Sequence, residues 1–346
     1  MGAAAATGLR VRQGDHVLVV RPGALGDAVL TLPLLQALRD RGASRVTIAG
    51  TPASWRFLAP SAASARPGGC ALDIVDGGSS DWLGLFGGRF GDRARAALAA
   101  ADAAIVCLRR AVGALDAVRA AGIDRAIGIA VPEGGPRRAD GAAPDHVAAT
   151  LLAGLADPPG LAGLTDWLAW LAPSADEKAR ALARLRALPG HSGGRLVLLH
   201  PGSGGPWKNW PADGLLAVAA QARAGGWSPV FLQGPADEAA IRSLRTGAGG
   251  ELPWPVLADL DLRAAAAVMA QAAAFVGNDS GATQLAARLC PTVALFGPTD
   301  PRLWRPLGPA VRVVAAPEGD LARLGPEPAI DALAQLAGVP AGARSP

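Results

Sequence analysis

Three short turns hold the residues able to do chemistry. Residues 21–27 read RPGALGD, residues 200–211 read HPGSGGPWKNWP and residues 278–284 read NDSGATQ, with GPTD following at 297–300. In the first turn, Gly23 and Gly26 allow a sharp bend and close approach to a ligand. Asp27 stands where a helix would open, either as a helix cap or as a general base facing a ligand. In the second turn, Gly202 and Gly204 shape the loop and Ser203, Gly204 and Gly205 offer backbone N–H groups. Lys208 adds a positive charge there, in a chain poor in Lys. That combination suits an anion; the alternative is a solvated lysine on a loop pinned by Trp207 and Trp210. In the third turn, Asp279 caps the next helix or binds a sugar or ribose hydroxyl, since a carboxylate repels a diphosphate. Ser280 and the N–H groups of Gly281 and Ala282 are the better phosphate donors. Glu238, at the end of GPADE (234–238), either meets a ribose or base or simply belongs to an acidic first helical turn.

Several chemistries lack their signature. The first turn has neither GxGxxG nor Walker spacing. No serine lies in a GxSxG elbow, and no carboxylate pair at glycosidase spacing is legible. Cys70, Cys107 and Cys290 are isolated, and His16, His146, His191 and His200 form no metal-ligand pattern, so no metal and no cofactor is expected. The cysteines read as buried thiols in a reducing compartment.

Each turn follows a strand. His16–Arg21 is a β-branched run, and Asp27–Asp40 has helical spacing with Val29, Leu30, Leu34, Leu35 and Leu38 on one side. Pro33 belongs in an early turn of that helix or marks a kink. Further strands are expected at 45–49, 71–75, 103–108 and 125–130, then at 195–199, 229–233, 274–277, 292–296 and 311–315. Helices are expected at 146–155, 176–188, 211–224, 236–245, 261–273 and 281–289; residues 161–171 fit either element. Residues 131–145 read as a surface loop and 189–194 as a linker. Alternating strands and helices predict parallel sheets covered on both faces, in two Rossmann-type halves. In such sheets ligands sit outside the carboxyl ends of the strands, where these turns fall.

The bulk properties agree with an α/β enzyme for a small anionic or hydroxylated ligand. The chain has 346 residues, enough for two domains, and its formal charge is +4. That is too small, and Lys too scarce, for a nucleic-acid binder. Residues 3–6 are too short an apolar run for a signal peptide and no segment reaches the length of a membrane span, so a soluble, cytoplasmic protein is expected.

The segments RPGALGDAVLTLPLLQALR (21–39), LLHPGSGGPWKNWP (198–211) and VGNDSGATQLAA with ALFGPTDPRLWRPLG (276–308) resemble glycosyltransferase family 9, the ADP-heptose:lipopolysaccharide heptosyltransferases, in order and spacing. The resemblance implies a GT-B fold: two Rossmann-like doubly wound domains facing across a cleft. The N-terminal acceptor domain would span 1–190 and the nucleotide-sugar domain 191–328, with a helix and tail at 329–346 crossing back to the first. It also implies inverting, metal-independent transfer, with Asp27 as the catalytic base and Lys208 neutralising the donor phosphates. Asp279, Ser280 and Gly281 match the donor-binding turn. Gln284 stands where the family commonly has a histidine; it can donate a hydrogen bond to phosphate but carries no charge. With no Tyr in the chain, Trp55, Trp82, Trp207 and Trp304 are the candidates for sugar stacking.

The implied partners are a nucleotide sugar, ADP-heptose first, and a lipopolysaccharide-core or related glycolipid acceptor, with peripheral contact at the cytoplasmic face of the inner membrane. Arg56, Arg66, Arg89, Arg93, Arg95, Arg109 and Arg110 either face that anionic glycolipid or form a solvated surface. The alternatives are a transferase using another nucleotide sugar and a non-catalytic nucleotide-sugar binder. A nucleotide-sugar epimerase or dehydrogenase would need a dinucleotide fingerprint and a catalytic Tyr, and this chain has neither.

Overall fold

The computed structural model describes residues 8–58, 69–132, 146–191 and 193–337. Residues 3–6, Arg66, most of the loop expected at 131–145 and the tail beyond 337 lie outside the described residues. Among the described residues no helix is long and apolar enough to cross a membrane. The described chain through Trp170 forms one compact unit and the chain from Leu171 a second. The expected α/β fold with two Rossmann-like parallel sheets is the fold observed.

The first unit is built on a five-stranded parallel sheet ordered β3-β2-β1-β4-β5. Its strands are β1 (His16–Val20), β2 (Arg45–Gly50), β3 (Ala71–Asp76), β4 (Ala103–Leu108) and β5 (Ala126–Ala130). The inner strands β1 and β4 are almost wholly buried. That is why they read as continuous apolar runs, as strands covered on both faces must. The edge strand β5 is partly exposed instead. Helix α1 (Leu25–Asp40) follows β1 as one continuous helix with Pro33 in its interior and buried, later than the early turn expected. An interior proline costs a helix about 3 kcal/mol; here buried leucines on either side, among them Leu32, Leu34 and Leu35, offset it. Residues 161–163 and 166–170 form short 3₁₀ turns, resolving the ambiguity left by their composition.

The second unit carries a six-stranded parallel sheet ordered β11-β10-β9-β6-β7-β8. Its strands are β6 (Leu196–His200), β7 (Ser228–Leu232), β8 (Val256–Leu257), β9 (Ala274–Asn278), β10 (Thr292–Phe296) and β11 (Val311–Ala315). Strand β8, of two residues, was not foreseen: a segment that short has no measurable period. Val197, Leu199, Phe231, Val276, Val293 and Leu295 join one core cluster. Their alternate neighbours Leu198, Val230, Phe275 and Phe296 are fully buried on the other face.

The helix Ala175–Arg186, expected before the linker, belongs to this second unit. It packs on the helix Leu262–Met269, and Arg263 clamps Glu177 with Nη2 2.5 Å and Nε 2.9 Å from its carboxylate oxygens. The late helix Glu327–Ala337 packs on β9, β10 and β11.

Both sheets have one topological switch point, where consecutive strands depart in opposite directions. It lies between β1 and β4 in the first sheet and between β6 and β9 in the second. Crevices for ligands open at such points, outside the carboxyl ends of the strands.

Candidate active site

In the first unit, β1 leads into Arg21, whose N–H is still held by Ala49 O at 2.9 Å. The chain then turns through Gly23, with φ of +149°, a conformation side chains disfavour. A Cβ at Gly23 would also lie 2.6 Å from Asp27 Oδ2. Gly26 sits in the first turn of α1, and Ser54 Oγ donates to Gly23 O at 3.0 Å, holding the bend. Asp27 accepts from the Ala24 N–H at 3.1 Å and from Arg21 Nη2 at 2.7 Å.

Capping and chemistry are therefore not exclusive here. One oxygen of Asp27 closes the helix, while the side chain stays 28% exposed and its partner Arg21 only 5%. Arg21 was not singled out from the sequence. A guanidinium buried under a carboxylate fixes its orientation, and nothing in the spacing of RPGALGD reveals which way the arginine points.

In the second unit, the loops after β6 and β9 meet at the switch point. Asn278, fully buried at the end of β9, accepts from Trp210 N at 3.0 Å and donates to Pro201 O at 2.8 Å. It thereby ties the HPGSGG loop to the NDSG turn. Across that tie Lys208 Nζ lies 3.2 Å from Asp279 Oδ2, which also accepts from Thr299 Oγ1 at 2.8 Å. Ser203 Oγ bridges Gly205 and Asn209, closing the loop. Ser280 caps the short helix Gly281–Ala286 by accepting from Thr283 N at 3.2 Å. Lys208, Asp279, Ser280, Gly281 and Ser203 thus share one region, and the turn at 297–300 joins it through Thr299. Asp279 is held by a cation and a hydroxyl, one from each neighbouring loop.

Gln284 is buried in that helix, and its Nε2 donates to Trp304 O at 2.6 Å. Its amide therefore holds the end of the short helix Pro301–Trp304, a use the sequence did not suggest. Glu238 is exposed and pairs with Arg242 one helical turn on, as an ordinary first-turn acid does.

The buried acid of that loop is its neighbour Asp237, which receives Gly234 N at 2.7 Å and His200 Nε2 at 2.9 Å. Burial pushes the Asp237 carboxyl up, but the hydrogen bond and charge of His200 and the Gly234 amide outweigh it, leaving a net lowering. A Cβ on Gly202 would collide with Asp237 Oδ1, so only glycine lets the loop lie this close. His200 and Asp237 are far apart in sequence, and no spacing rule couples them.

Of the four tryptophans considered for sugar stacking, Trp55 and Trp82 are buried in the first unit, at 1% and 2% exposure, and have no face to offer. Trp207 is 62% exposed, with Lys208 Nζ 5.7 Å from its ring centroid. Among the described residues no group of three or more His, Cys, Asp or Glu side chains is arranged to hold a metal ion.

Residues 169–329 match the family model of glycosyltransferase family 9 (heptosyltransferase). The resemblance read from the loops is borne out there. Solved structures share the fold along nearly the whole chain. A glycosyl transferase family 9 protein from Veillonella parvula aligns with a TM-score of 0.71 at 19% identity, covering 94% of this chain and 98% of its own. The E. coli ADP-heptose lps heptosyltransferase II gives 0.66 at 22% identity, over 93% and 98%. E. coli heptosyltransferase WaaC with ADP gives 0.58 at 20%, over 93% and 100%. No curated protein matches the sequence significantly.

Proposed function

Taking residues 169–329 as a glycosyltransferase family 9 segment, we propose that this protein is an inverting glycosyltransferase. It moves a sugar, heptose from ADP-heptose, to a lipopolysaccharide-core or related glycolipid acceptor at the cytoplasmic face of the membrane. The observation that supports this most is the convergence of Lys208, Asp279, Ser280 and the glycine-rich 202–205 loop at the strand switch of the second sheet. Cation, N–H donors and hydroxyl-binding carboxylate are the set a sugar pyrophosphate needs. The donor and acceptor classes follow the fold relative described as an ADP-heptose lps heptosyltransferase.

In the proposed reaction the Asp27 carboxylate takes the proton of the acceptor hydroxyl as its oxygen attacks the anomeric carbon. The bond from that carbon to the diphosphate oxygen breaks on the opposite face. The diphosphate leaves with the electron pair, and the anomeric configuration inverts. Arg21 orients Asp27. Lys208 and the loop amides meet charge that grows during departure, so they stabilise the transition state more than the ground state. Asp279, held by Lys208 and Thr299, is assigned to a sugar or ribose hydroxyl. The departing group is neutralised by these groups alone, with no metal in the scheme.

A calorimetric panel of ADP, UDP and GDP tests the donor. Preference for ADP is expected; preference for UDP or GDP would reassign the sugar, and binding of none would remove the reading. Donor hydrolysis or transfer separates an enzyme from a binder that has lost turnover.

A further inference from the structure

The described part of the chain leaves few large hydrophobic side chains exposed, and three of them gather at one end of the first sheet. Leu83 is 54% exposed, Phe86 72% and Val112 76%. Leu83 and Phe86 belong to the 3₁₀ turn Ser80–Phe86 that follows β3, and Val112 opens the helix Val112–Ala120 that follows β4. The turn and that helix pack on each other.

The turn is built to present its outer residues. A 3₁₀ helix repeats every three residues, so Leu83 and Phe86 lie on one face. Trp82 and Leu85 point instead into the core, at 2% and 4% exposure. Gly87, with φ of +90°, ends the turn directly after Phe86 and leaves that ring at its tip. Phe57, Phe231, Phe275 and Phe296 are fully buried. A phenylalanine left in water here contrasts with those four.

Exposed arginines flank these segments in sequence. Arg89 and Arg93 follow the turn, Arg109 and Arg110 precede Val112, and all four are exposed. The nearby Asp92 is engaged by Arg95, while Asp116 stays exposed on the helix.

We propose that this face docks on an anionic lipid bilayer, with Leu83, Phe86 and Val112 entering the interface and the arginines contacting headgroup phosphates. The charge pattern selects this occupant. A second copy joined through the same patch would bring like-charged arginines together, which is repulsive. A nucleic acid would use the arginines but leave the apolar tip in water. A bilayer surface satisfies both at once: apolar side chains gain by leaving water, and each arginine near an anionic leaflet adds attraction. The surface independently deepens the proposed use of a lipid-linked acceptor, and its test does not depend on the donor.

The protein is sedimented with vesicles of pure phosphatidylcholine and of phosphatidylcholine mixed with phosphatidylglycerol. Binding to the mixed vesicles only, weakening with salt, is expected. The Leu83→Ser/Phe86→Ser double variant should lose about tenfold or more in partitioning, with an unchanged melting temperature because both side chains are exposed. Arg109→Gln and Arg110→Gln should each lose about fivefold. Wild-type protein that ignores anionic vesicles, or a double variant that binds them as well as wild type, would overturn the proposal. Sedimentation velocity supplies the other refutation: a dimer dissolved by the double substitution would assign the face to a second copy.

Discussion

Replacing Lys208 with Met removes a charge while keeping most of the aliphatic stem, and its consequences can be worked out in two parts. At 3.2 Å from Asp279 Oδ2, the pair attracts by about 5 kcal/mol at an effective dielectric near 20. Desolvation of two nearly buried groups cancels much of that. The variant leaves Asp279, with its side chain 11% exposed, holding only the Thr299 hydroxyl. A partly compensated buried acceptor of this kind costs about 1–3 kcal/mol, visible as a lower melting temperature. The second part is ligand binding. A hydrogen bond from an ammonium to a phosphate oxygen contributes about 1.5–3 kcal/mol, so ADP affinity should fall roughly 10- to 100-fold. Titration calorimetry with ADP measures it. Adding Asp279→Asn to Lys208→Met should recover the melting temperature without recovering ADP affinity. If ADP binds Lys208→Met as tightly as wild type, or if Asp279→Asn restores binding with stability, Lys208 merely neutralises Asp279 and does not hold phosphate.

Asp27→Asn keeps a group of the same shape beside Arg21 and the Ala24 N–H. Turnover should drop about 10²–10⁴-fold while ADP affinity holds, and transfer at the wild-type rate would rule Asp27 out as the base. Acid stability should report the Glu177–Arg263 clamp. The Arg263 hydrogen bonds, opposed by burial and aided by the Ser174 amide, hold the Glu177 carboxyl at about 2 against an ordinary 4.5. A lowered pKa stabilises the fold above the unfolded value, so this contribution is complete above pH 4.5 and fades as pH falls toward 2. At most about 3 kcal/mol is involved. Urea melts at pH 7 and pH 3 should show it in wild type, and Glu177→Gln should flatten the difference; an equal slope in both proteins would deny the clamp that role.

The strands and their order in the chain were legible because burial on both faces writes itself as apolar runs: HVLVV, AAIVCL, LVLLH and TVALF need no partner to be recognised. The turns were legible for a related reason. Gly, Pro and small polar residues gather where a strand ends and the backbone must bend with free N–H groups, so the loops at 21–27, 200–211 and 278–284 stood out before any geometry was known. The 3₁₀ turn at 80–86 left no such mark, because its inward and outward positions both carry large apolar residues.

Composition thus specified an α/β chain with strand-end turns, and the motifs carried a resemblance to glycosyltransferase family 9 that the family model matches over residues 169–329. Which acids are buried and which stay in water was decided only by folding. Asp237 and Glu238 are adjacent and chemically alike, yet one lies buried against His200 and the other sits in water beside Arg242. Trp82 and Trp207 differ in the same way. Such outcomes depend on which distant loop the sheet order brings alongside: β9 inserting next to β6 sets Asp279 against Lys208, and Arg21 finds Asp27 only because the chain doubles back through Gly23. Side-chain partners separated by tens of residues are consequences of strand order and backbone curvature, and neither quantity is encoded in local spacing.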